Sequence, residues 1–144
     1  MDTGEFERVY VELERYSGPL SGVADVGSLP HYFHAADPGR VDDQFYVWPI
    51  APEVFALERE CWAIFVRWNE RYENGEVGPE AHPGVGGIDG RYDELEARLK
   101  PCREVPADAR VLVGRTEFLI DDELPRYRVD GCDYAIRWQA VVLD

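Results

Sequence analysis

The segment Pro52–Tyr72 (PEVFALERECWAIFVRWNERY) has the period of an α-helix and is apolar over more than half of its circumference. At about 100° per residue, a broad apolar stripe forms from Val54, Leu57, Cys61, Ile64, Phe65, Trp68 and Tyr72. A narrower strip beside it consists of Phe55, Trp62 and Val66. A single core contact does not need so much apolar surface. The pattern therefore predicts a helix that either lies between two layers or keeps one face for a partner.

Alternating apolar residues before and after this helix predict strands. Before it, we expect strands over Phe6–Tyr16, Leu20–Val26, Leu29–Ala35 and Gln44–Trp48. In the first of these, Val9, Val11 and Leu13 point one way, and Tyr10, Glu12 and Glu14 point the other. After it, we expect strands over Arg110–Ile120, Arg126–Val129 and Asp133–Val142. Gly27-Ser28 and Asp130-Gly131 are predicted hairpin turns.

The order of these elements predicts an α+β fold. Two antiparallel β-meanders of about 4 and 3 strands flank the long helix and a shorter one over Arg91–Leu99. The helices would pack on one face of the sheet or plug a curled sheet. A chain of 144 residues has the length of one ordinary domain, so we expect a single domain over residues 1–144.

The charge of the chain excludes several classes of partner. The net charge is −14, and the acidic residues are dispersed along the sequence rather than gathered in a tail. Nucleic acids and anionic membranes require basic clusters, so we expect neither as a partner. The same charge suits solubility, salt adaptation or a basic protein partner. The first residues, MDTGEFERVYVELE, lack the features of a signal peptide, which predicts a cytoplasmic protein.

No motif predicts a metal, a cofactor or a catalytic centre. His31 and His34 would lie on opposite faces of a strand. The third histidine, His82, lies in the glycine-rich segment Gly75–Gly90. The sequence contains no zinc, calcium-loop or GxSxG pattern. The segment GVGGIDG at Gly84–Gly90 is not a phosphate-binding loop, because its glycine spacing is wrong and its neighbours are acidic. The widely spaced cysteines Cys61, Cys102 and Cys132 indicate free thiols. The sequence therefore argues against an enzyme without excluding one.

Glu58 is the one weak candidate for a catalytic group. It projects between the two apolar strips of the long helix. If it is buried, its pKa should be raised by desolvation unless an arginine such as Arg137 pairs with it. A carboxyl with a raised pKa could act as a general acid or base or hold a cationic ligand.

Two functional hypotheses follow from these features. The first is a small acidic interaction module that binds a basic protein or forms a homodimer through Phe55, Trp62 and Val66. The second is a ligand-binding or enzymatic pocket, with Glu58 and one histidine as polar groups and the loop Gly75–Gly90 as a lid. The aromatic residues that would line this pocket are Phe45, Tyr46, Trp48, Trp62 and Trp138.

Overall fold

A computed structural model describes residues 5–13, 20–36, 43–118 and 127–141. The chain divides into two compact units. The first consists of Met1–Ile50, Val105–Arg126 and Gly131–Asp144, and the second of Ala51–Glu104 and Tyr127–Asp130. The single domain expected over residues 1–144 stays a prediction. The predicted strand ends at Tyr16, Ile120 and Val142 lie outside the described residues.

The fold class is α+β, as the sequence predicts. The described residues form two helices and eight strands. In chain order, the strands are β1 (Phe6–Glu12), β2 (Ser21–Val26), β3 (Leu29–Ala35), β4 (Gln44–Pro49), β5 (Arg110–Phe118), β6 (Tyr127–Arg128), β7 (Gly131–Cys132) and β8 (Tyr134–Ala140). In the first unit, six of them pair in the order β1-β2-β3-β4-β5-β8, and β8 pairs with β1 to close a barrel.

The strand β8 does not have the partner that the sequence predicts. The signal at Asp130-Gly131 predicts a hairpin between Arg126–Val129 and Asp133–Val142. In the structure β8 instead pairs antiparallel with β1, where Ala135 faces Arg8, and with β5, where Trp138 faces Gly114. A turn does form at Val129-Asp130, between the short strands β6 and β7. The predicted partner of β8 is wrong because strand pairing across a barrel is non-local, whereas a turn signal reports only its own neighbourhood.

The predicted turn between β2 and β3 is confirmed. Gly27 and Ser28 both have positive φ, 60° and 68°, as a two-residue type I′ turn requires. The carboxylate of Glu7 accepts hydrogen bonds from the backbone N–H groups of both residues, at 3.1 and 2.6 Å. This carboxylate satisfies backbone donors that the tight turn leaves unpaired.

Aromatic side chains of the strands fill the barrel. The rings of Phe33, Phe45 and Trp138 contact one another, with centroids 5.8 to 6.1 Å apart. Gly114 lies against them, since a Cβ atom there would be 2.9 Å from the Trp138 ring and 3.1 Å from Phe45. The barrel core therefore leaves no room for a side chain at this position.

Strand β1 departs from simple alternation. Its pairing with β2 is irregular between Val9 and Val11. Both valines are buried, and so is Glu12, which the sequence pattern places on the opposite face from them. The hydroxyl of Tyr134 donates a hydrogen bond to Glu12 Oε1 at 3.1 Å. A bulge reverses which residues face a sheet side, and this explains the buried acid.

The second unit contains both helices, close to the predicted bounds. The first, α1, is Pro52–Glu73, and the second, α2, is Gly90–Leu99. Helix α1 begins with proline in its first turn and ends before Gly75, whose φ is 75°. Helix α2 is capped by Asp89, whose Oδ1 accepts the Tyr92 N–H at 2.9 Å. Neither helix has the length and apolarity that a membrane crossing requires.

Candidate functional site

Glu58 is buried and paired. It has no exposed area, and Arg103 donates one hydrogen bond to each of its carboxylate oxygens at 2.8 Å. Arg103 also donates to Glu96 at 2.6 Å, and the Cys61 thiol donates to the other Glu96 oxygen at 3.3 Å. Burial lowers the pKa of Arg103, but the pairing with Glu58 and Glu96 outweighs it and raises that pKa above its ordinary value.

This pairing decides what Glu58 can do. The sequence predicts an arginine of the sheet, such as Arg137, as the partner of Glu58, whereas the observed partner is Arg103, which follows α2. A carboxylate whose two oxygens both accept from one guanidinium has neither oxygen left to face a substrate. We therefore assign Glu58 a structural role within the second unit.

The strip Phe55, Trp62 and Val66 is largely covered. Trp62 and Val66 are 1% and 0% exposed. The Trp62 indole N–H donates to the Arg128 carbonyl at 2.7 Å, and its ring meets Tyr127 edge-on at 5.3 Å. Phe55 is half-buried, with the Arg59 guanidinium 5.7 Å from its ring centroid. Two of the three residues thus have no surface to offer a partner.

The aromatic residues predicted to line a pocket are divided between the two units. Phe45 and Trp138 lie in the barrel core, and Trp48 stacks on Tyr32 with centroids 5.3 Å apart. Tyr46 is half-buried on β4, whereas Trp62 belongs to the second unit.

The histidines of β3 satisfy neighbouring backbone groups. A ring nitrogen of His31 lies 2.8 Å from the Leu29 carbonyl, and one of His34 lies 3.0 Å from the Ala35 carbonyl. Within the described ranges, no group of three or more acidic, histidine or cysteine side chains is arranged to hold a metal ion. Cys61, Cys102 and Cys132 form no disulfide bonds.

A pocket of about 380 Å³ lies within the second unit, beside the glycine-rich connection between the helices. We call it the α1 pocket. One face of α1 supplies Ile64, Arg67, Trp68 and Arg71, which follow the i, i+3, i+4, i+7 spacing of a helix face. The connection supplies Val77, Ala81, Pro83, Ile88 and Asp89. The glycine-rich segment thus forms a wall of this pocket, which shares no lining residue with the aromatic pocket that the sequence predicts.

Side-chain and backbone contacts hold the connection against α1. The His82 ring lies 4.4 Å from the Trp68 ring and 5.7 Å from Phe65. His82 Nδ1 accepts the Gly84 N–H at 2.8 Å. The Gly87 N–H donates to the Asp93 carboxylate at 2.9 Å, and the positive φ of Gly87, 86°, suits glycine. The wall of the pocket is therefore built by specific interactions.

The charges of the α1 pocket differ from those of the chain as a whole. Its charged lining consists of Arg67, Arg71 and Asp89, one positive charge in excess, whereas the chain has 29 acidic and 15 basic residues. Both arginines are exposed, and in the described part of the chain neither forms an ion pair. By contrast, Arg91 and Arg103 each hold two carboxylates.

The sequence pattern does not single out the polar groups of the α1 pocket. Arg67 and Arg71 lie four residues apart and alternate with Ile64 and Trp68 of the apolar stripe. That spacing is the available signal, yet arginines at the edge of an apolar stripe are also typical of a solvated helix face.

Comparison with known protein families, with curated proteins and with solved structures finds no match to this chain.

Proposed function

We propose that the chain is a small-molecule-binding protein whose ligand occupies the α1 pocket. The observation that carries this proposal is the pocket itself, a concave space of about 380 Å³ with an aliphatic lining and a few charged groups. Ligand sites are typically clefts of about 300–1,000 Å³ with this composition. The loop that walls it is fixed by His82 and Asp93, which favours a preformed site.

Binding is supported better than catalysis. Nucleophilic and acid–base catalysis need a nucleophile or a base of suitable pKa directed at the substrate. The described lining contains no serine, cysteine, histidine or glutamate, and one oxygen of Asp89 is engaged in capping α2. Glu58, the one catalytic candidate from the sequence, is occupied by Arg103.

Filling the pocket tests the proposal. Val77→Trp places a large side chain in the lining, and Val105→Trp makes the same change at an exposed residue of the first unit. Both variants and the wild type would be screened against a fragment library by ligand-observed NMR. We expect fragments that bind wild type and Val105→Trp but not Val77→Trp. Absence of any binder, or equal binding to all three proteins, would refute the proposal.

A basic protein partner is a second candidate, and the net charge of −14 favours it. Such binding should weaken steeply between about 50 and 500 mM salt, because exposed charges are screened over a few ångströms at high salt. Calorimetry with several basic proteins of similar charge would separate a specific partner from general attraction.

Self-association through the strip of Phe55, Trp62 and Val66 has less support. Trp62 and Val66 are buried, so a homodimer through this strip would require α1 to expose them. Light scattering at increasing protein concentration tests this by measuring the molecular mass. If a dimer forms through the strip, Phe55→Ala should reduce the fraction of dimer. The three cysteines form no disulfide bonds and so fit a reducing compartment, which supports a cytoplasmic location.

A further inference from the structure

We infer that the ligand of the α1 pocket is a small aliphatic carboxylate whose anionic group is held by Arg67 and Arg71. The inference rests on the proposed function, since it assigns a ligand class to the same pocket. The observations that support it are the two arginines, the aliphatic side chains of the lining, and the contacts of Trp68 with Tyr72 and His82.

Arg67 and Arg71 are two neighbouring cations that form no ion pair with any residue that the structure describes. Residues four apart on a helix are neighbours, with Cβ atoms about 6 Å apart, and like charges at this spacing repel. Carboxylates are abundant in the chain, yet among the described residues none forms an ion pair with Arg67 or Arg71. An anion bound between them would remove this repulsion.

The chemistry of arginine narrows the anion. A guanidinium presents a planar fork of N–H donors that matches the two oxygens of a carboxylate, and it keeps its charge at every physiological pH. Phosphate also fits this fork. However, Asp89 lines the same pocket and the chain carries a charge of −14, so a dianion meets more repulsion than a monoanion. The weaker repulsion of a monoanion therefore favours a carboxylate over a phosphate.

The apolar residues of the lining indicate the chemistry of the part of the ligand that lies beyond its anionic group. Ile64, Val77, Pro83 and Ile88 provide saturated carbon surface. The aromatic group in the lining, Trp68, already contacts the Tyr72 ring at 5.0 Å in a stacked arrangement and the His82 ring at 4.4 Å. Because Tyr72 already stacks on Trp68 and His82 contacts its ring, the lining favours an aliphatic ligand over one that stacks.

A matched series of ligands tests the assignment. Hexanoate, hexanamide, hexanol, hexylamine and hexyl phosphate share an alkyl chain and differ in their head group. Calorimetry would measure each on the wild type, Arg67→Gln, Arg71→Gln and Arg98→Gln. Arg98 is exposed in the last turn of α2 and outside the pocket lining, so it controls for the loss of one positive charge. All three positions are exposed, so the variants are expected to fold.

We expect hexanoate to bind the wild type at least tenfold more tightly than the amide and the alcohol, with no binding of the amine. Each of Arg67→Gln and Arg71→Gln should weaken hexanoate binding about tenfold, equivalent to the loss of one charge-assisted hydrogen bond. Arg98→Gln should bind as the wild type does. Added salt should weaken hexanoate binding to the wild type more than to Arg67→Gln.

The contrary results separate the two proposals. If hexanamide binds as tightly as hexanoate, or if the pocket arginine variants behave like Arg98→Gln, the carboxylate assignment is wrong while a ligand-binding pocket survives. Tighter binding of hexyl phosphate would overturn the assignment in favour of a phosphate. If fragments and the whole series fail to bind, and Val77→Trp changes nothing, the proposed function itself fails.

Discussion

Arg103 donates to both carboxylate oxygens of Glu58, with its Nε and Nη2 atoms each 2.8 Å from an acceptor. The side chain of Glu58 has no exposed area and that of Arg103 is 17% exposed, so water screens this pair poorly. Arg103 also reaches Glu96, which accepts a hydrogen bond from the Cys61 thiol. One guanidinium thereby connects α1, α2 and the segment that follows α2.

Breaking this pair should destabilise the protein strongly. Arg103→Met leaves the buried Glu58 carboxylate without compensation, and we expect a loss of about 3–5 kcal/mol in the free energy of unfolding. The double variant Glu58→Leu with Arg103→Met should lose less than the sum of the single changes, because neither charge is then left alone. Urea denaturation measures both.

The exposed pair of Glu60 and Arg91 provides the control for this experiment. Glu60→Gln should change the free energy of unfolding little, because solvent screens an exposed pair. Equal effects of Arg103→Met and Glu60→Gln would contradict a buried, structural role for Glu58.

A second prediction concerns pH and the first unit. Burial raises the pKa of Asp25 above its ordinary value of 3.8, and the neighbouring Glu7 adds to the rise. A hydrogen bond from the Tyr10 hydroxyl at 2.9 Å, together with Arg8 and His31, opposes it. The Oδ1 atom of Asp25 is buried and accepts no hydrogen bond within the described residues.

The direction of the pH effect follows from linkage. The folded state holds the Asp25 proton more tightly than the unfolded state does, so this contribution to stability is complete below pH 3.8 and is lost as the pH rises through the raised pKa. Asp25→Asn removes the effect, and its stability relative to the wild type should increase from about pH 3 to pH 7. Tyr10→Phe removes an opposing hydrogen bond and should steepen the loss. Urea unfolding at several pH values measures these changes. Parallel pH profiles of wild type and Asp25→Asn would contradict the assignment.

The elements that the sequence predicts well are those with local causes. Helix α1 follows from its apolar period and from Pro52, and the β2–β3 turn follows from the tolerance of Gly27 for positive φ. The α+β class then follows from the order of the elements.

The features that the sequence does not predict arise from pairing between strands that are far apart in the chain. Closure of the barrel requires β8 to pair with β1 across most of the chain length, and no turn residue encodes that. The irregular pairing between Val9 and Val11 is likewise invisible in the pattern, so the burial of Glu12 is not foreseen.

The candidate site is less predictable than the fold. A helix pattern gives the direction of Glu58 only within tens of degrees, and it cannot identify Arg103, which lies 45 residues away, as its partner. Arg67 and Arg71 gain their significance from the connection that packs beside them, through the contacts of His82 with Trp68. A pocket is a property of two segments together, and neither one shows it alone.

Trp62 provides a third prediction, which separates a scaffold role of α1 from a partner-binding role. Trp62→Ala removes a buried ring and leaves the Arg128 carbonyl without the indole N–H. We expect a loss of about 3–5 kcal/mol in the free energy of unfolding, as for other large core truncations. Phe55→Ala, at the half-buried end of the same strip, should lose clearly less. A mild effect of Trp62→Ala together with a change of molecular mass in light scattering would support the partner-binding role instead.

A fourth prediction concerns the packing of the barrel. It compares alanine substitutions at two barrel glycines with one at a glycine outside the barrel. A Cβ atom at Gly22 would collide with the Val11 carbonyl oxygen, which is backbone and cannot rotate away. At Gly114 it would lie 2.9 Å from the Trp138 ring, 3.1 Å from Phe45 and 3.2 Å from Ile136. At Gly86, in the connection between the helices, it would meet nothing within 4 Å.

We therefore expect alanine to be tolerated at Gly86, to cost about 1–3 kcal/mol at Gly114 by overpacking, and to cost most at Gly22. Thermal and urea unfolding of the three variants measures this order. Gly86→Ala also serves as the matched control, since it adds the same methyl group in open space. If Gly114→Ala proved as stable as Gly86→Ala, the barrel interior would have to be looser than the contacts among Phe33, Phe45 and Trp138 indicate. In that case the barrel, rather than the α1 pocket alone, would have room for a ligand.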